Sequence, residues 1–446
     1  MTSTQEQLKN IKTGDFVKLT DKKKTYVGTL MPKSELSAQN IIVLKLENGY
    51  NVGLEITKNM KIELLKKGQT QTKPKKQKID INPKKPTITI LHTGGTIASK
   101  VDYKTGAVSA SFSPEEILEM FPELKKIANI KSKLIANVFS ENLCLSHYNI
   151  FINAITKEIK NGADGIILTH GTDTLGYTAA AISFAINNSP IPIILVGAQR
   201  SSDRGSSDAA MNLIGAAHFI TKSKFSGVAI CMHDTTDDTN CAILPATKTR
   251  KMHTSKRDAF KPINDKKIAT VDVKTGNVMF TNPKYKPTKP AEKLNVKKFK
   301  DVKVGILRVH PGMLDVELDT YIKNKFDGLI IEGTGLGHAN IIAFDDISKT
   351  NELVFKKLEK LIASGCVVAM TSQTVYGRIN MDVYSAGRKL ITAGVLGNMC
   401  DMLPETAFIK LSWLLSNYNV DDVKKLYSIN LRGEITTRSK AEFYDE

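Results

Sequence analysis

Apolar and polar positions along this chain follow two different rhythms. From Gly14 to Leu65 the apolar runs are short: Phe16–Leu19, Tyr26–Leu30, Ile41–Leu46, Tyr50–Leu54 and Ile62–Leu65. Asn48-Gly49, between the third and fourth, is a strong signal for a two-residue hairpin turn. Five short strands in about fifty residues predict an SH3-like all-β barrel. From Thr87 onward the pattern changes. Buried-strand runs at Thr87–Leu91, Gly165–Thr169, Ile191–Val196, Val228–Met232, Val304–Val309, Gly328–Ile331 and Val367–Met370 are separated by longer stretches, several of them helical in pattern. A strand is also expected at Leu134–Phe139, and helices through Ile155–Ile159 and from Leu175 to Asn188. Ser113-Pro114-Glu115-Glu116 opens a further helix, with Ser113 as N-cap, Pro114 in the first turn and Glu116 at capping-box spacing. Strand, helix, strand in this order predicts parallel sheets with crossover helices, an α/β fold.

Lysine and proline mark the boundaries. Lys73, Lys75, Lys76, Lys78, Lys84 and Lys85, with Pro74, Pro83 and Pro86, make 66–86 a basic linker. Pro287 and Pro290 lie in a second lysine-rich linker, 284–300. The predicted order is therefore a barrel over 1–65, an α/β domain over 87–283, a second over 301–417, and a polar tail over 418–446.

The chain has 446 residues, 41% of them hydrophobic and 24% charged, enough for two or three packed cores. A formal net charge of +18 implies an anionic partner, with nucleic acid the first candidate and solvated lysine-rich faces the plain alternative. The five cysteines, Cys144, Cys231, Cys241, Cys366 and Cys400, are dispersed and never spaced CxxC, which argues against a disulfide framework or a zinc site. No signal-peptide pattern opens the chain, and no apolar run is long enough to span a bilayer. The expectation is a soluble, cytoplasmic protein with no membrane association.

Two stretches carry chemistry. Thr87–Lys100 reads TITILHTGGTIASK, a strand running straight into Thr93-Gly94-Gly95-Thr96. Such a turn at the carboxyl end of a strand is where open α/β sheets bind ligands. Its spacing is neither GxGxxG, GxxxxGK[ST] nor GxSxG, which disfavours three common nucleotide and hydrolase readings. The second stretch ends the strand Gly165–Thr169 with His170-Gly171-Thr172-Asp173-Thr174. A threonine hydroxyl becomes a nucleophile only when a base removes its proton. Thr172 and Asp173 supply hydroxyl and carboxylate, and a lysine elsewhere would complete a relay.

HTGGTIA (His92–Ala98) together with THGTDT (Thr169–Thr174) resembles the paired signature of the bacterial-type L-asparaginase/glutaminase family. The resemblance runs from about Thr87 onward and implies a pair of α/β domains with parallel sheets. It implies Thr96 and Thr172 as the two hydroxyls at the amide carbon, and a catalytic lysine within Arg250-Lys251-Met252-His253. Lys251 is the first choice, nine residues before Phe260, with Lys248 the rival. Tyr103, in YKTGAV, matches a tyrosine that assists the first threonine. Ser140 and Glu141 fall where relatives hold the substrate's α-carboxylate and α-ammonium, with Asp173 sharing that task and Gly95 in the substrate-binding turn. Many relatives have glutamine where this chain has Glu141. His92 and His170 are expected to be structural. No metal is implied.

The barrel, and the wording HTGGTIASKVDYKTGAV, MHDT (Met232–Thr235), RKMHTSKRDAF (Arg250–Phe260) and HPGM (His310–Met313), resembles more closely the GatD family, the glutaminase components of archaeal-type glutamyl-tRNA(Gln) amidotransferases. That resemblance implies a glutaminase that feeds ammonia to a second component, the amidotransferase E subunit, which amidates Glu-tRNA(Gln). It further implies an α2β2 heterotetramer around a homodimer of this chain, tRNA held mainly by the partner, and ATP and Mg2+ used there rather than here. A free-standing cytosolic L-asparaginase is the alternative reading.

Overall fold

Alternating apolar residues in the first segment close a small sheet. Its strands are Phe16–Asp21, Lys24–Met31, Ile41–Leu46, Asn51–Glu55 and Lys61–Lys66, all paired antiparallel in the spatial order fourth, third, second, first, fifth. Val17, Leu19, Ile42, Leu44, Met60 and Ile62 form a core belonging to this unit alone. The computed structural model describes residues 11–12, 14–21, 24–31, 41–46, 51–57, 60–67, 82–94, 99–101, 108–110, 117–118, 120–200, 207–282, 285 and 293–439. The Asn48-Gly49 turn and the Ser113–Glu116 helix start lie outside them.

The main sheet has eight strands in the order Val278–Phe280, Ala269–Asp272, Asn240–Pro245, Gly227–His233, Pro192–Val196, Gly165–Thr169, Thr87–His92, Asn129–Leu134. The five from Gly227–His233 to Asn129–Leu134 are parallel; the other three continue antiparallel. Strands buried on both faces read as continuous apolar runs. GIILT and PIILV are buried at every residue. Successive residues serve opposite cores, because side chains alternate across a strand. Ile166 and Leu168 join one cluster with the helices Leu145–Lys160 and Leu175–Ala185; Ile167 joins the other with the helix Ala209–Lys222.

In chain order the parallel strands run outward from Thr87–His92 to one edge, then return past it to the other side. This is a 2-1-3-4-5 doubly wound order, whose ligand crevice lies at the carboxyl ends of the first and third strands. Those are Thr87–His92 and Gly165–Thr169, with His92 opposite Thr169.

A second sheet of three parallel strands, Val304–Arg308, Gly328–Gly333 and Val367–Ser372, belongs to the second α/β domain. Leu329 and Ile331 face that domain's own core. Ile330 and Ala369 face the other way, into a cluster shared with the helices Leu175–Ala185 and Pro404–Asn417. Phe184 and Trp413 pack there with ring centroids 5.7 Å apart. The two domains thus share one continuous apolar layer.

Two expectations need correction. The strand expected at Leu134–Phe139 lies earlier, at Asn129–Leu134. It is an edge strand with Lys131 and Lys133 exposed, so its hydropathy is weak, whereas the residues after it leave the ladder, with Ile135 N and Ala136 N both donating to His92 O and Val138 N to Thr93 O. The helix from Leu175 stops at Ala185, and Ile186–Asn187 pairs with Asn295–Val296. Within the tail, Val420–Tyr427 is a helix with Val423 and Tyr427 buried. Beyond it, Glu434 is wholly buried and its Oε1 lies 2.6 Å from Lys410 Nζ. Among the described residues no helix is long and apolar enough to cross a membrane.

Candidate active site

Both motif turns are built by close backbone approach. Gly94 has φ +110°, and a Cβ there would sit 2.6 Å from Val138 O, so only glycine fits. Thr93 Oγ1 donates to Thr169 O at 2.9 Å, tying the first turn to the second strand. In the second turn, a Cβ on Gly171 would meet Ser140 Cβ and Oγ at 2.8 Å. Thr174 Oγ1 donates to Ser140 O at 2.7 Å. Ser140, in the 3-10 turn Ser140–Asn142, is therefore buried against the second motif, with Glu141 exposed beside it.

His92 and His170 brace these turns. His92 Nδ1 and Nε2 lie 2.9 and 3.0 Å from Thr169 Oγ1 and Ser132 Oγ. His170 Nε2 lies 2.9 Å from Thr178 Oγ1, and its Nδ1 lies 2.6 Å from Gly171 O. Burial lowers both imidazoles to about 4, which keeps them neutral and well placed to orient the backbone.

A lysine arrives from a short hairpin, Thr249–Lys251 paired with Phe260–Pro262. Lys251 Nζ lies 2.9 Å from Thr172 Oγ1 and 2.8 Å from Asp173 Oδ1. Its side chain is 16% exposed, that of Asp173 64%. As an ammonium Lys251 donates to both oxygens; as a neutral amine it accepts the threonine proton. The structure thus brings together Thr172, Asp173, Lys251 and Ser140, with Glu141 at the rim. Gly95, Thr96 and Tyr103 lie outside the described residues.

Lys248, the rival lysine, is elsewhere. Its Nζ lies 2.7 Å from Asp401 Oδ2, with both side chains buried, so it is neither at the site nor on a solvated face. Arg250 was given no role by the sequence and Glu405 carried no signal, yet Arg250 Nε lies 3.2 Å from Glu405 Oε1 next to the site lysine. Tyr177, three residues past Thr174, faces the same cluster; burial, with Glu405 and Glu332, raises its hydroxyl to about 12. Glu332 is also raised, by burial first and then by Glu405. Among the described residues no group of three His, Cys, Asp or Glu side chains could hold a metal ion.

A doubly wound sheet with a threonine, lysine and carboxylate at its switch point, joined to a second parallel domain, is the asparaginase class of architecture. Residues 87–285 match the family described as Asparaginase, N-terminal, and residues 303–427 match Glutaminase/Asparaginase C-terminal domain. Residues 11–65 match the GatD N-terminal domain. The chain is 43% identical over 443 residues to the D-type component of the glutamyl-tRNA(Gln) amidotransferase of Pyrococcus abyssi, covering 98% of each chain. It is 45% identical over 432 residues to the same component from Methanococcus maripaludis strain C6, covering 95% and 97%. Its fold resembles the thermostable L-asparaginase of Thermococcus kodakarensis at a TM-score of 0.68 and 30% identity, over 78% of this chain and 99% of that one. The chain belongs to the GatD family of glutamyl-tRNA(Gln) amidotransferase components.

Proposed function

We propose that this chain hydrolyses glutamine as one component of a tRNA-dependent amidotransferase, releasing ammonia for a partner subunit that converts Glu-tRNA(Gln) to Gln-tRNA(Gln). One observation carries the reading: Lys251 bridges Thr172 and Asp173 at the switch point, in a chain that aligns almost end to end with relatives of that name. A neutral Lys251 amine takes a proton from Thr172, and a threonine oxygen bonds to the side-chain carbonyl carbon of glutamine. The carbon–nitrogen bond then breaks; the lysine returns the proton to the departing nitrogen, which leaves as ammonia. Water splits the resulting ester to glutamate and restores the hydroxyl. Thr96 supplies the second hydroxyl, assisted by Tyr103, on the motif resemblance alone. Ser140, Glu141, Asp173 and Gly95 hold the substrate's α-carboxylate and α-ammonium.

The assembly that suits this role is an α2β2 heterotetramer around a homodimer of this chain, in the cytoplasm. ATP, Mg2+ and most of the tRNA contact belong to the partner. The experiment is glutamate release from the purified chain, alone, with partner, and with partner plus Glu-tRNA(Gln) and ATP. The last mixture is expected to be fastest and to yield Gln-tRNA(Gln). The likeness to an L-asparaginase supports a second reading, a free-standing asparaginase. Preference for asparagine and failure to hold a partner on gel filtration would favour it.

A further inference from the structure

The segment bearing the site lysine is fastened across the domain boundary at Thr247, Lys248 and Arg250, ending one position short of the amine. Thr247 O accepts from Thr406 Oγ1 at 2.9 Å, and Thr247 Oγ1 donates to Arg432 O at 3.1 Å. Lys248 Nζ pairs with Asp401 at 2.7 Å, and Arg250 Nε with Glu405 Oε1 at 3.2 Å. Asp401 lies just before the helix Pro404–Asn417; Glu405 and Thr406 lie in its first turn. On the other side, a Cβ on Gly176 would sit 3.1 Å from Thr249 O, so the helix that follows the second motif presses on the same strand. Adjacent side chains of a strand project to opposite faces. Holding Arg250 toward Glu405 therefore turns Lys251 toward Thr172 and Asp173.

We propose that the Arg250–Glu405 pair is a positioning device through which the second domain sets the direction and reach of Lys251 Nζ. The proposal rests on Lys251 being the proton acceptor of the reaction. Arg250 holds Glu405 by one oxygen only: Oε2 is buried without a hydrogen-bond partner among the described residues, and a second carboxylate, Glu332, faces the same cluster. Arg308 Nη1, 3.8 Å from Glu332 Oε2 and mostly exposed, is the cation that acts most on Glu332, whereas the pair made by Glu405 is with Arg250. Without Arg250, two carboxylates and Tyr177 confront each other, and Glu405 has every reason to turn away from the hairpin. Of these two pairs, Arg250–Glu405 is separable from folding, since its side chains are 28% and 20% exposed whereas Lys248 and Asp401 are sealed.

The test uses the full-length chain as Glu405→Gln, Arg250→Gln and the conservative Arg250→Lys. Two quantities are read: acetylation of Lys251 by limiting acetic anhydride, measured against exposed Lys349 by mass spectrometry, and kcat and KM for glutamine. Both Gln variants are expected to raise Lys251 acetylation several-fold. They should lower kcat about tenfold to a hundredfold, with KM within about twofold, because misplacement of a reacting group by about 1 Å costs on that scale. Arg250→Lys should keep most of both. Unchanged Lys251 acetylation in both Gln variants overturns the proposal, whatever their melting temperatures do. So does raised acetylation with kcat untouched, or an Arg250→Lys variant as impaired as Arg250→Gln. A wild-type chain that releases no glutamate even with partner, Glu-tRNA(Gln) and ATP refutes the glutaminase reading instead, and the acetylation ratio still decides the positioning.

Discussion

Thr172 Oγ1 lies 2.9 Å from Lys251 Nζ although the two residues are 79 positions apart and sit on different elements. Groups that act as one unit lose nearly everything when any member is removed. Thr172→Ala and Lys251→Ala should each lower glutamine turnover about a thousandfold or more, and the double variant should be hardly worse. Thr96→Ala should match them. Far-UV circular dichroism should be unchanged, and ammonium salt should still support tRNA amidation by the complex. Losses that simply add would show that the two side chains do not share one proton.

Lys248→Ala is expected to behave in the opposite way. It strands the Asp401 carboxylate in a sealed site, and removing one partner of a buried pair costs about 3–5 kcal/mol. Asp401 also accepts from Thr436 N at 2.9 Å and from Thr436 Oγ1, so the 428–439 segment should loosen too. Urea midpoints of Lys248→Ala and Lys251→Ala decide this. A Lys248 variant as stable as the parent would mean that Asp401 finds another partner.

The parts of the site that sequence made legible are those with a local cause. An apolar run buried on both faces announces a parallel strand, and glycine at its end announces a turn, which located Gly94 and Gly171. Lys251 was legible only through its spacing to Phe260. Lys248 was not, because its environment is supplied by Asp401, 153 residues away in the second domain. A lysine among arginines reads as surface unless its partner is known. Glu434 escaped for the same reason: in a polar tail nothing marks one carboxylate as the mate of buried Lys410. The antiparallel extension Asn240–Pro245, Ala269–Asp272 and Val278–Phe280 was hidden by short strands between polar loops.

Gly171→Ala probes the contact between the second motif and Ser140. The added Cβ would fall 2.8 Å from Ser140 Cβ and Oγ, and the 3-10 turn carrying Ser140 and Glu141 is what must give. If these two residues hold the α-substituents of the substrate, KM for glutamine should rise about tenfold or more, because about 1.4 kcal/mol of binding is lost. Steady-state kinetics of Gly171→Ala, beside Ser140→Ala, tests this. An unchanged KM in both would remove Ser140 from substrate binding.

The two neutral histidines should make the fold acid-sensitive in a defined window. His92 and His170 are lowered to about 4 by burial, whereas an unfolded histidine titrates near about 6.5. Between these values the unfolded chain binds more protons than the native one, so stability rises with pH there and falls as pH drops from about 6.5 toward 4. Above about 6.5 both states are deprotonated and the term is flat. Each histidine contributes at most about 1.4 kcal/mol per pH unit within the window. His92→Gln and His170→Gln remove the titrating group, at some cost in absolute stability because Thr169, Ser132 and Thr178 lose ring contacts. Urea unfolding of parent and variants at pH 7.5, 6.5, 5.8 and 5.0 measures the slope above the range where carboxylates dominate. Each variant should be flatter than the parent by up to one proton. Parallel slopes in all three proteins would mean that these imidazoles are protonated in the native state, and that the motif turns are braced by charge rather than by neutral hydrogen bonds.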